Sequence, residues 1–244
     1  MSLLTVIVPF FNEEKFLKAS VERLIDQLKK NNIRFEVILV NDSSTDKSYK
    51  IAREISLNHK NITLLNKNKN EGKGSCIKII NKSIDSDFVI IHDADLEYYP
   101  EDMVEMYNIA INNPAKMVLG SRVIGEKNRT KKYNFLVLIN LLFAKLFSIL
   151  NFYKVTDIST GYMMFPAEFF RSIDIESDGF TIEIELLSKF IKSNCEIIET
   201  PIAYLGRTYN EGKKIKFSDG LSIFLMIIFS SKVYSVFRSF IKRS

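Results

Sequence analysis

The sequence predicts an α/β protein in which a mainly parallel sheet is flanked by helices. Short β-branched and apolar runs alternate with helical stretches as far as about residue 122, and this alternation is typical of parallel βαβ units. Acidic residues follow several of the apolar runs, at the edge where an open α/β sheet binds its ligands. With 244 residues, 46 % of them hydrophobic, the chain can bury one large core and carry an appendage.

Five apolar runs predict the strands of the sheet, and four stretches between them predict helices. The strands are expected at residues 4–10, 35–42, 62–66, 88–95 and 116–122. The helices, in which apolar residues recur at helical spacing, are expected at residues 13–30, 45–59, 75–84 and 100–113.

Two later segments are long, apolar and flanked by lysine and arginine. The first covers about residues 131–153 and contains Lys145, whose charge makes a transmembrane span costly. The second covers residues 220–244. Both predict amphipathic helices at a membrane interface, and the alternative for the first is a core helix that covers the sheet edge. We expect one domain over residues 1–219, which includes the first segment, and a membrane-associating segment over residues 220–244.

The charge distribution bears on partners and location. The formal net charge is +5, and basic residues concentrate beside the two apolar segments, which suits an anionic partner. A groove for single-stranded nucleic acid would interleave basic and aromatic residues, so the expected partner is a membrane surface and not nucleic acid. The N-terminus lacks the basic start of a signal peptide, and the isolated Cys76 and Cys195 suit a reducing compartment. We therefore expect a cytoplasmic protein, peripheral on the cytoplasmic face of the membrane.

Three acidic side chains lie at the end of the predicted strand 88–95. If this stretch is extended, Asp93 and Asp95 project in the same direction, and Glu97 follows in the turn before Pro100. Hard divalent cations prefer carboxylate oxygens, and Mg²⁺ completes its coordination with bound phosphates. The three acids would repel one another unless they were neutralised. A metal site is therefore favoured over a solvated acidic turn.

The ends of the other predicted strands carry residues suited to a nucleotide. Pro9, Phe11 and Glu13 could surround a flat base, and the Asp42 carboxylate could accept a hydrogen bond from a base N–H. Lys73 lies between two glycines, where the backbone can approach a phosphate, and Arg122 offers a further anion contact. No GxGxxG motif follows the first strand, which argues against a Rossmann dinucleotide enzyme.

Six short motifs occur in a characteristic order. They are VIVPFFNEE, VNDSSTDKS, NEGKG, DADLE, GSR and DISTGYMMF. In order and spacing this set resembles family 2 glycosyltransferases of the GT-A fold. It looks most like the polyprenyl-phosphate branch, which contains the dolichyl-phosphate mannose and glucose synthases. The resemblance covers the chain from Leu4 to about Asp219.

This resemblance implies that Asp93 and Asp95 bind Mg²⁺ or Mn²⁺ with the diphosphate of a nucleotide-sugar, and that Glu97 is a further ligand. The residues expected to contact the nucleotide are Pro9, Phe11, Glu13, Asp42, Lys73, Asp93 and Ala94. Two positions depart from the family pattern. Asn41 precedes Asp42 where a second acid is usual, and Phe11 replaces a tyrosine, which keeps stacking but loses a hydroxyl.

The expected acceptor is a polyprenyl or dolichyl phosphate. Its phosphate is already anionic near neutral pH and needs no general base, and the chain has only two histidines, His59 and His92. The side chains that could hold this phosphate are Arg122, Lys131, Lys132, Arg207, Lys213 and Lys214. The resemblance adds acceptor-side acids, so the residues expected to take part in catalysis are Asp95, Arg122, Asp157, Glu183 and Arg207.

The sequence thus predicts metal-dependent, inverting transfer of a hexose from a UDP- or GDP-linked donor to this lipid phosphate. Inversion follows from a direct in-line displacement. One alternative is transfer to a sugar hydroxyl of a polysaccharide or glycolipid, with Asp157 or Glu183 as the base. Another is a non-catalytic scaffold of the same fold at a membrane surface. Such a scaffold would be expected to lack one of the three acids Asp93, Asp95 and Glu97. Here the triplet is intact.

Overall fold

A computed structural model describes residues 2–125, 134–206 and 217–241, with side chains described for all but 134–137, 217–219 and 239–241. The strands are β1 (Leu3–Phe10), β2 (Arg34–Asn41), β3 (Ile62–Asn66), β4 (Phe88–Ile91), β5 (Met117–Ser121), β6 (Met163–Pro166) and β7 (Ile197–Pro201). The helices are α1 (Leu17–Lys30), α2 (Ser48–Asn58), α3 (Lys73–Lys78), α4 (Pro100–Asn112), α5 (Asn134–Asn151), α6 (Ala167–Ser172), α7 (Ile182–Lys192), α8 (Phe217–Phe229) and α9 (Lys232–Ile241).

The seven strands form one sheet in the order β3-β2-β1-β4-β6-β5-β7. Only β6 is antiparallel to its neighbours, so the other six strands have their carboxyl ends at the same edge of the sheet. The predicted α/β class with a mainly parallel sheet is confirmed. The strands β6 and β7 lie in a part of the chain for which the sequence predicted none.

Two hydrophobic cores lie on the two faces of the sheet. Along β1, Val6 and Val8 belong to one core and Ile7 to the other, because successive side chains of a strand point to opposite faces. The helices α1 and α4 contribute to the first core, and α3, α6 and α7 to the second. Both faces of the central strands are therefore apolar, and the polar chemistry is left to the strand ends.

Two predicted elements are too long. The strand predicted to reach Asp95 ends at Ile91, and the chain then turns, with Leu96 in the left-handed region at a φ of 62°. Asp93 and Asp95 are therefore not alternate residues of an extended strand. The helix predicted over residues 75–84 ends at Lys78. Beyond it, the amide of Asn81 donates hydrogen bonds to the carbonyls of Phe170 and Ile173, so tertiary contacts replace the helical ones.

The two apolar segments form helices that pack on one another. The helix α5 packs against α8 and α9, and α7 packs against α8. Ala144 and Phe147 of α5 are buried, as a core helix requires. Even so, of the eighteen large apolar side chains exposed in the described part of the chain, five lie in residues 138–152 and seven in residues 221–237.

Within the described ranges, no single helix is both long and apolar enough to cross a membrane. The bent pair Gly220–Phe229 and Lys232–Arg238, with an angle of 56° between its halves, meets that requirement by length and composition.

Candidate active site

A cleft of about 600 Å³ lies at the carboxyl edge of the sheet and gathers most of the residues singled out in the sequence. Those that line it are Pro9, Phe11, Glu13, Asp42, Lys73, Asp93, Ala94, Asp95, Glu97, Arg122 and Glu183. They follow β1, β2, β4 and β5 or begin α3 and α7, so the parallel topology brings them together from distant parts of the sequence.

A buried lysine links two acids at the centre of the cleft. The Nζ atom of Lys73 lies 2.6 Å from an Asp93 carboxylate oxygen and 2.7 Å from one of Glu183. Burial alone would lower the pKa of Lys73, but the two neighbouring carboxylates outweigh it and raise that pKa. Lys73 therefore stays an ammonium ion between two negative charges. Gly161 leaves room for Asp93, since a Cβ atom there would lie 2.6 Å from its Oδ2 atom.

The turn after β4 separates the three predicted metal ligands. Asp95 accepts a hydrogen bond from the backbone N–H of Glu97 at 3.1 Å, and Glu97 accepts one from the Tyr204 hydroxyl. Among the described residues, no three Asp, Glu, His or Cys side chains form a group that could hold a metal ion by themselves. All three side chains still line one cleft, and Asp93 and Asp95 are the two whose carboxylates do not accept the Tyr204 hydroxyl. Two carboxylates with substrate phosphates are a common way to bind Mg²⁺, so these residues fit a metal that arrives with a diphosphate.

Asp42 organises the loop before α3. Its Oδ1 atom accepts hydrogen bonds from Lys67 Nζ at 2.7 Å and from the Glu71 N–H at 3.1 Å, and its Oδ2 atom accepts one from the Gly72 N–H at 2.7 Å. Gly72 has a φ of +105°, which an L side chain rarely adopts. The Cys76 side chain is a further hydrogen-bond partner of the Asp42 carboxylate. The predicted base contact therefore also has a structural task.

The turn after β1 presents Phe11 and Glu13 to the cleft. Asn12 at its tip has a φ of 53°, and its Oδ1 atom accepts a hydrogen bond from the Thr45 N–H at 2.8 Å. The Glu13 N–H donates to the Ser48 hydroxyl at 2.8 Å. The turns after β1 and β2 therefore hold each other, and Phe11 is presented from a rigid corner.

Arg122 and Asp157 form a bidentate ion pair. The Nε and Nη2 atoms of Arg122 lie 2.7 and 2.8 Å from the two Asp157 oxygens, and its guanidinium carbon lies 4.9 Å from the centroid of the Tyr204 ring. Burial would raise the pKa of Asp157, but Arg122 outweighs it and holds that pKa below its usual value. Asp157 is fully buried and does not line the cleft, whereas Arg122 does.

The two histidines lie away from the cleft. Neither histidine lines it, and His92 is buried between the hydroxyls of Ser20 and Tyr162. Burial lowers the pKa of His92 to about 4, so it is neutral at physiological pH. Five of the predicted anion contacts lie outside the described residues: Lys131, Lys132, Arg207, Lys213 and Lys214.

Several cleft residues were not singled out in the sequence. Tyr98 stacks on Tyr162 with centroids 4.5 Å apart and accepts a hydrogen bond from the Gly161 N–H. Tyr204, Phe180 and Ile223 come from later segments. The YY pair after DADLE was a local signal for Tyr98. No local pattern could have revealed that α8 reaches the cleft through Ile223.

Comparisons with known proteins agree with this geometry. The model of the glycosyl transferase family 2 domain matches residues 5–174. A dolichol-phosphate mannosyltransferase of Pyrococcus furiosus is 24 % identical over 86 % of this chain, which spans 58 % of that protein. A UDP-N-acetylglucosamine–dolichyl-phosphate N-acetylglucosaminyltransferase of Methanococcus voltae is 27 % identical over 93 % of this chain and 95 % of its own length.

A solved structure has the same fold. Glucosyl-3-phosphoglycerate synthase from Mycobacterium tuberculosis superimposes with a TM-score of 0.72 at 16 % identity, over 95 % of this chain and 79 % of that one. This likeness confirms the predicted GT-A fold. The family match covers well over half of the sequence and includes β2, β4, β5 and most of β1, the strands that lead to the aspartates and Arg122 of the cleft. The chain belongs to glycosyl transferase family 2.

Proposed function

We propose that this protein transfers a hexose from a nucleotide-sugar to a polyprenyl or dolichyl phosphate at a membrane surface, with metal dependence and inversion at the anomeric carbon. One observation carries the proposal. A single cleft contains Phe11, the paired acids Asp93 and Asp95, and Arg122, and its border includes Ile223 of the apolar helix α8.

The donor end of the cleft suits a nucleoside diphosphate. Phe11 and Pro9 offer apolar surface to a base, and the Asp42 carboxylate lines the same end of the cleft as the proposed acceptor for a base N–H. The solved relative was crystallised with Mn²⁺ and UDP, and the name of the M. voltae relative also specifies UDP. These names favour UDP over GDP.

Asp93 and Asp95 are the residues that would hold Mg²⁺ or Mn²⁺. A divalent ion bound there with the donor supplies charge that offsets the negative charge developing on the leaving diphosphate. Lys73 offsets one of the two negative charges of Asp93 and Glu183, and a divalent ion would offset more. Glu97 is proposed as a weaker contributor, because its carboxylate accepts the Tyr204 hydroxyl.

The acceptor end suits an amphiphilic phosphate. Phe180 is about half exposed and, with Ile223 of α8, forms an apolar border of the cleft. Both curated relatives carry a dolichol or dolichyl phosphate in their names. Arg122 is the proposed phosphate contact, and Asp157 positions it through the bidentate pair. Arg207, which lies outside the described residues, is proposed as a second contact.

The choice of acceptor determines whether a base is required. A phosphate oxygen attacks without one, whereas a sugar hydroxyl needs a carboxylate that can accept its proton. Asp157 is fully buried and paired with Arg122, which disfavours it as a base. Glu183 lines the cleft, but its carboxylate is paired with Lys73. Both observations support the phosphate acceptor and direct in-line displacement.

The exposed apolar side chains of α5, α8 and α9 support attachment to a membrane surface. Burying them in the interface, with flanking lysine and arginine near anionic headgroups, would favour binding. We propose that the protein is peripheral on the cytoplasmic face, with the cleft border facing the lipid.

The proposal is tested with UDP-glucose, UDP-N-acetylglucosamine and GDP-mannose, each with and without a short polyprenyl phosphate. We expect one donor to react only when the lipid phosphate and a divalent cation are both present, with no turnover in EDTA. Efficient transfer to a sugar hydroxyl while every polyprenyl phosphate is ignored would instead establish the alternative acceptor.

The metal assignment is tested with Asp95→Asn and, as a matched control, Asp26→Asn on the exposed surface of α1. Removing a contact of this kind typically costs about a hundredfold in turnover, so Asp95→Asn should lose at least that and Asp26→Asn should lose nothing. Calorimetry provides a readout besides activity, since Mn²⁺ should tighten UDP binding to the wild type and not to Asp95→Asn. If Mn²⁺ tightens UDP binding equally in the wild type and in Asp95→Asn, Asp95 is excluded as a metal ligand.

A further inference from the structure

A second cavity, separate from the cleft, lies between α7, α8 and α9. Its volume is about 610 Å³, and it shares no lining residue with the cleft. One face of α7 lines it with Glu185, Ser188, Lys189 and Lys192, which follow helical spacing. The other walls come from the end of α8 and from α9, which carries Arg238.

Lys189 pairs with both acids that line this cavity. Lys189 Nζ lies 2.6 Å from Glu185 and 3.6 Å from Glu176. Glu185 also accepts hydrogen bonds from the backbone N–H groups of Glu176 and Ser177, at 2.8 and 2.7 Å. The lining as a whole has three basic side chains, Lys189, Lys192 and Arg238, against these two acids, so an excess of one positive charge remains.

Two cations remain without counter-ions. Among the described residues, neither Lys192 nor Arg238 has an ion-pair partner, although both line the cavity. Desolvation lowers the pKa of Lys192, and the positive charge of Lys189 lowers it further. Ser188 and Tyr234 line the same space, and the Ser188 hydroxyl lies 2.9 Å from that of Ser230. Two cations without an ion-pair partner in one cavity form a site suited to a phosphate group.

Apolar surface adjoins this polar cavity. Phe229 and Met226 line it, and the Tyr234 ring packs edge-on against Phe229 at 5.1 Å. Phe229, Val233 and Phe237 are more than two-fifths exposed. A soluble phosphate metabolite bound here would leave these apolar side chains exposed to water, whereas the acyl chains of a phospholipid would cover them.

We propose that this cavity binds the phosphate headgroup of an anionic membrane phospholipid, which is neither donor nor acceptor of the reaction. The inference rests on the membrane attachment proposed above but not on the transfer chemistry. Lys192 and Arg238 hold the phosphate, and the exposed side chains of α8 and α9 contact the acyl chains. Binding there would fix the orientation of the cleft relative to the membrane.

The first test is flotation of the full chain with phosphatidylcholine vesicles that contain phosphatidic acid. A basic side chain near an anionic surface contributes roughly fivefold in binding, so Lys192→Ala with Arg238→Ala should weaken vesicle binding about 25-fold. The matched control is Lys50→Ala with Arg53→Ala, two exposed positions on α2 that remove the same charge. The control should lose less than about threefold. Equal losses in the two double variants would show diffuse attraction and overturn the site.

The second test separates a lipid headgroup from free phosphate. Water-soluble dihexanoyl phosphatidic acid and inorganic phosphate are titrated against the wild type and against Arg238→Gln, which is exposed and keeps a polar side chain. We expect the lipid to bind the wild type at least tenfold more tightly than the variant, and inorganic phosphate to bind more weakly than the lipid. Equal affinity for the two probes, or no binding of either, would overturn the proposal.

The two proposals fail separately. Asp95→Asn should lose sugar transfer and still float with anionic vesicles. The double variant of Lys192 and Arg238 should float poorly and still turn over a short, water-soluble acceptor. Loss of both properties in either variant, with an unchanged melting temperature, would contradict the separation of cavity and cleft.

Discussion

Replacing Lys73 by methionine is the most direct test of the charge arrangement in the cleft. The substitution keeps the length of the side chain and removes the ammonium group that pairs with Asp93 and Glu183. Both carboxylate oxygens lie within 2.7 Å of Nζ in the wild type. They are therefore at most about 5 Å apart, and at an effective dielectric constant of about 20 their repulsion amounts to about 3 kcal/mol.

The expected loss of stability follows from this repulsion. Removing one partner of a buried ion pair typically costs about 3 to 5 kcal/mol, and the Lys73 and Glu183 side chains are only 11 % and 9 % exposed. For a domain of this size, 1 kcal/mol corresponds to about 2 to 4 °C, so Lys73→Met should melt about 10 °C below the wild type.

The assay is urea unfolding followed by circular dichroism, with Lys78→Met as the control. Lys78 belongs to the same helix, but its pair with Asp178 at 3.4 Å is about half exposed on both sides. Such surface pairs contribute about 0 to 1 kcal/mol. Lys73→Met combined with Glu183→Gln should recover much of the loss, since only one charged acid remains. If Lys73→Met is no less stable than Lys78→Met, the reasoning is wrong.

Three further predictions concern other contacts of the site. Arg122→Lys loses the bidentate pair with Asp157, and urea unfolding should show a loss of about 2 kcal/mol. This loss should be the same at pH 7 and pH 5. The pKa of Asp157 is lowered in the folded protein, so its carboxylate is ionised at both pH values, and a smaller loss at pH 5 would contradict this. Tyr204→Phe removes a hydrogen bond to Glu97 and should cost about 1 kcal/mol of stability in the same assay. An unchanged stability would show that this hydrogen bond contributes nothing and that Glu97 is held by another contact. Burial and then the charge of Asp42 raise the pKa of Cys76 to about 12, so an aromatic disulfide reagent at pH 8 should label Cys195 alone in the native protein, and rapid labelling of two thiols would refute this.

The sequence alone determined the fold class and most members of the cleft. Short continuous apolar runs, separated by stretches with apolar residues at helical spacing, allow few arrangements other than a parallel α/β sheet. Since such a sheet binds its ligands at the carboxyl ends of its strands, the polar residues after those runs were expected to meet. Asp42, Asp93 and Arg122 lie 29 or more residues apart in sequence and line one cleft.

The tertiary structure alone decided how these side chains are used. The left-handed turn at Leu96 directs Glu97 towards Tyr204, and no pattern in DADLE contains that information. The pairing of Lys73 with Glu183 and of Arg122 with Asp157 joins residues 110 and 35 positions apart. Local sequence specifies backbone preferences and which surface is apolar, whereas ion pairs depend on distances set by packing the whole sheet and its helices. The same reason explains why the cavity between α7, α8 and α9 became visible only in three dimensions.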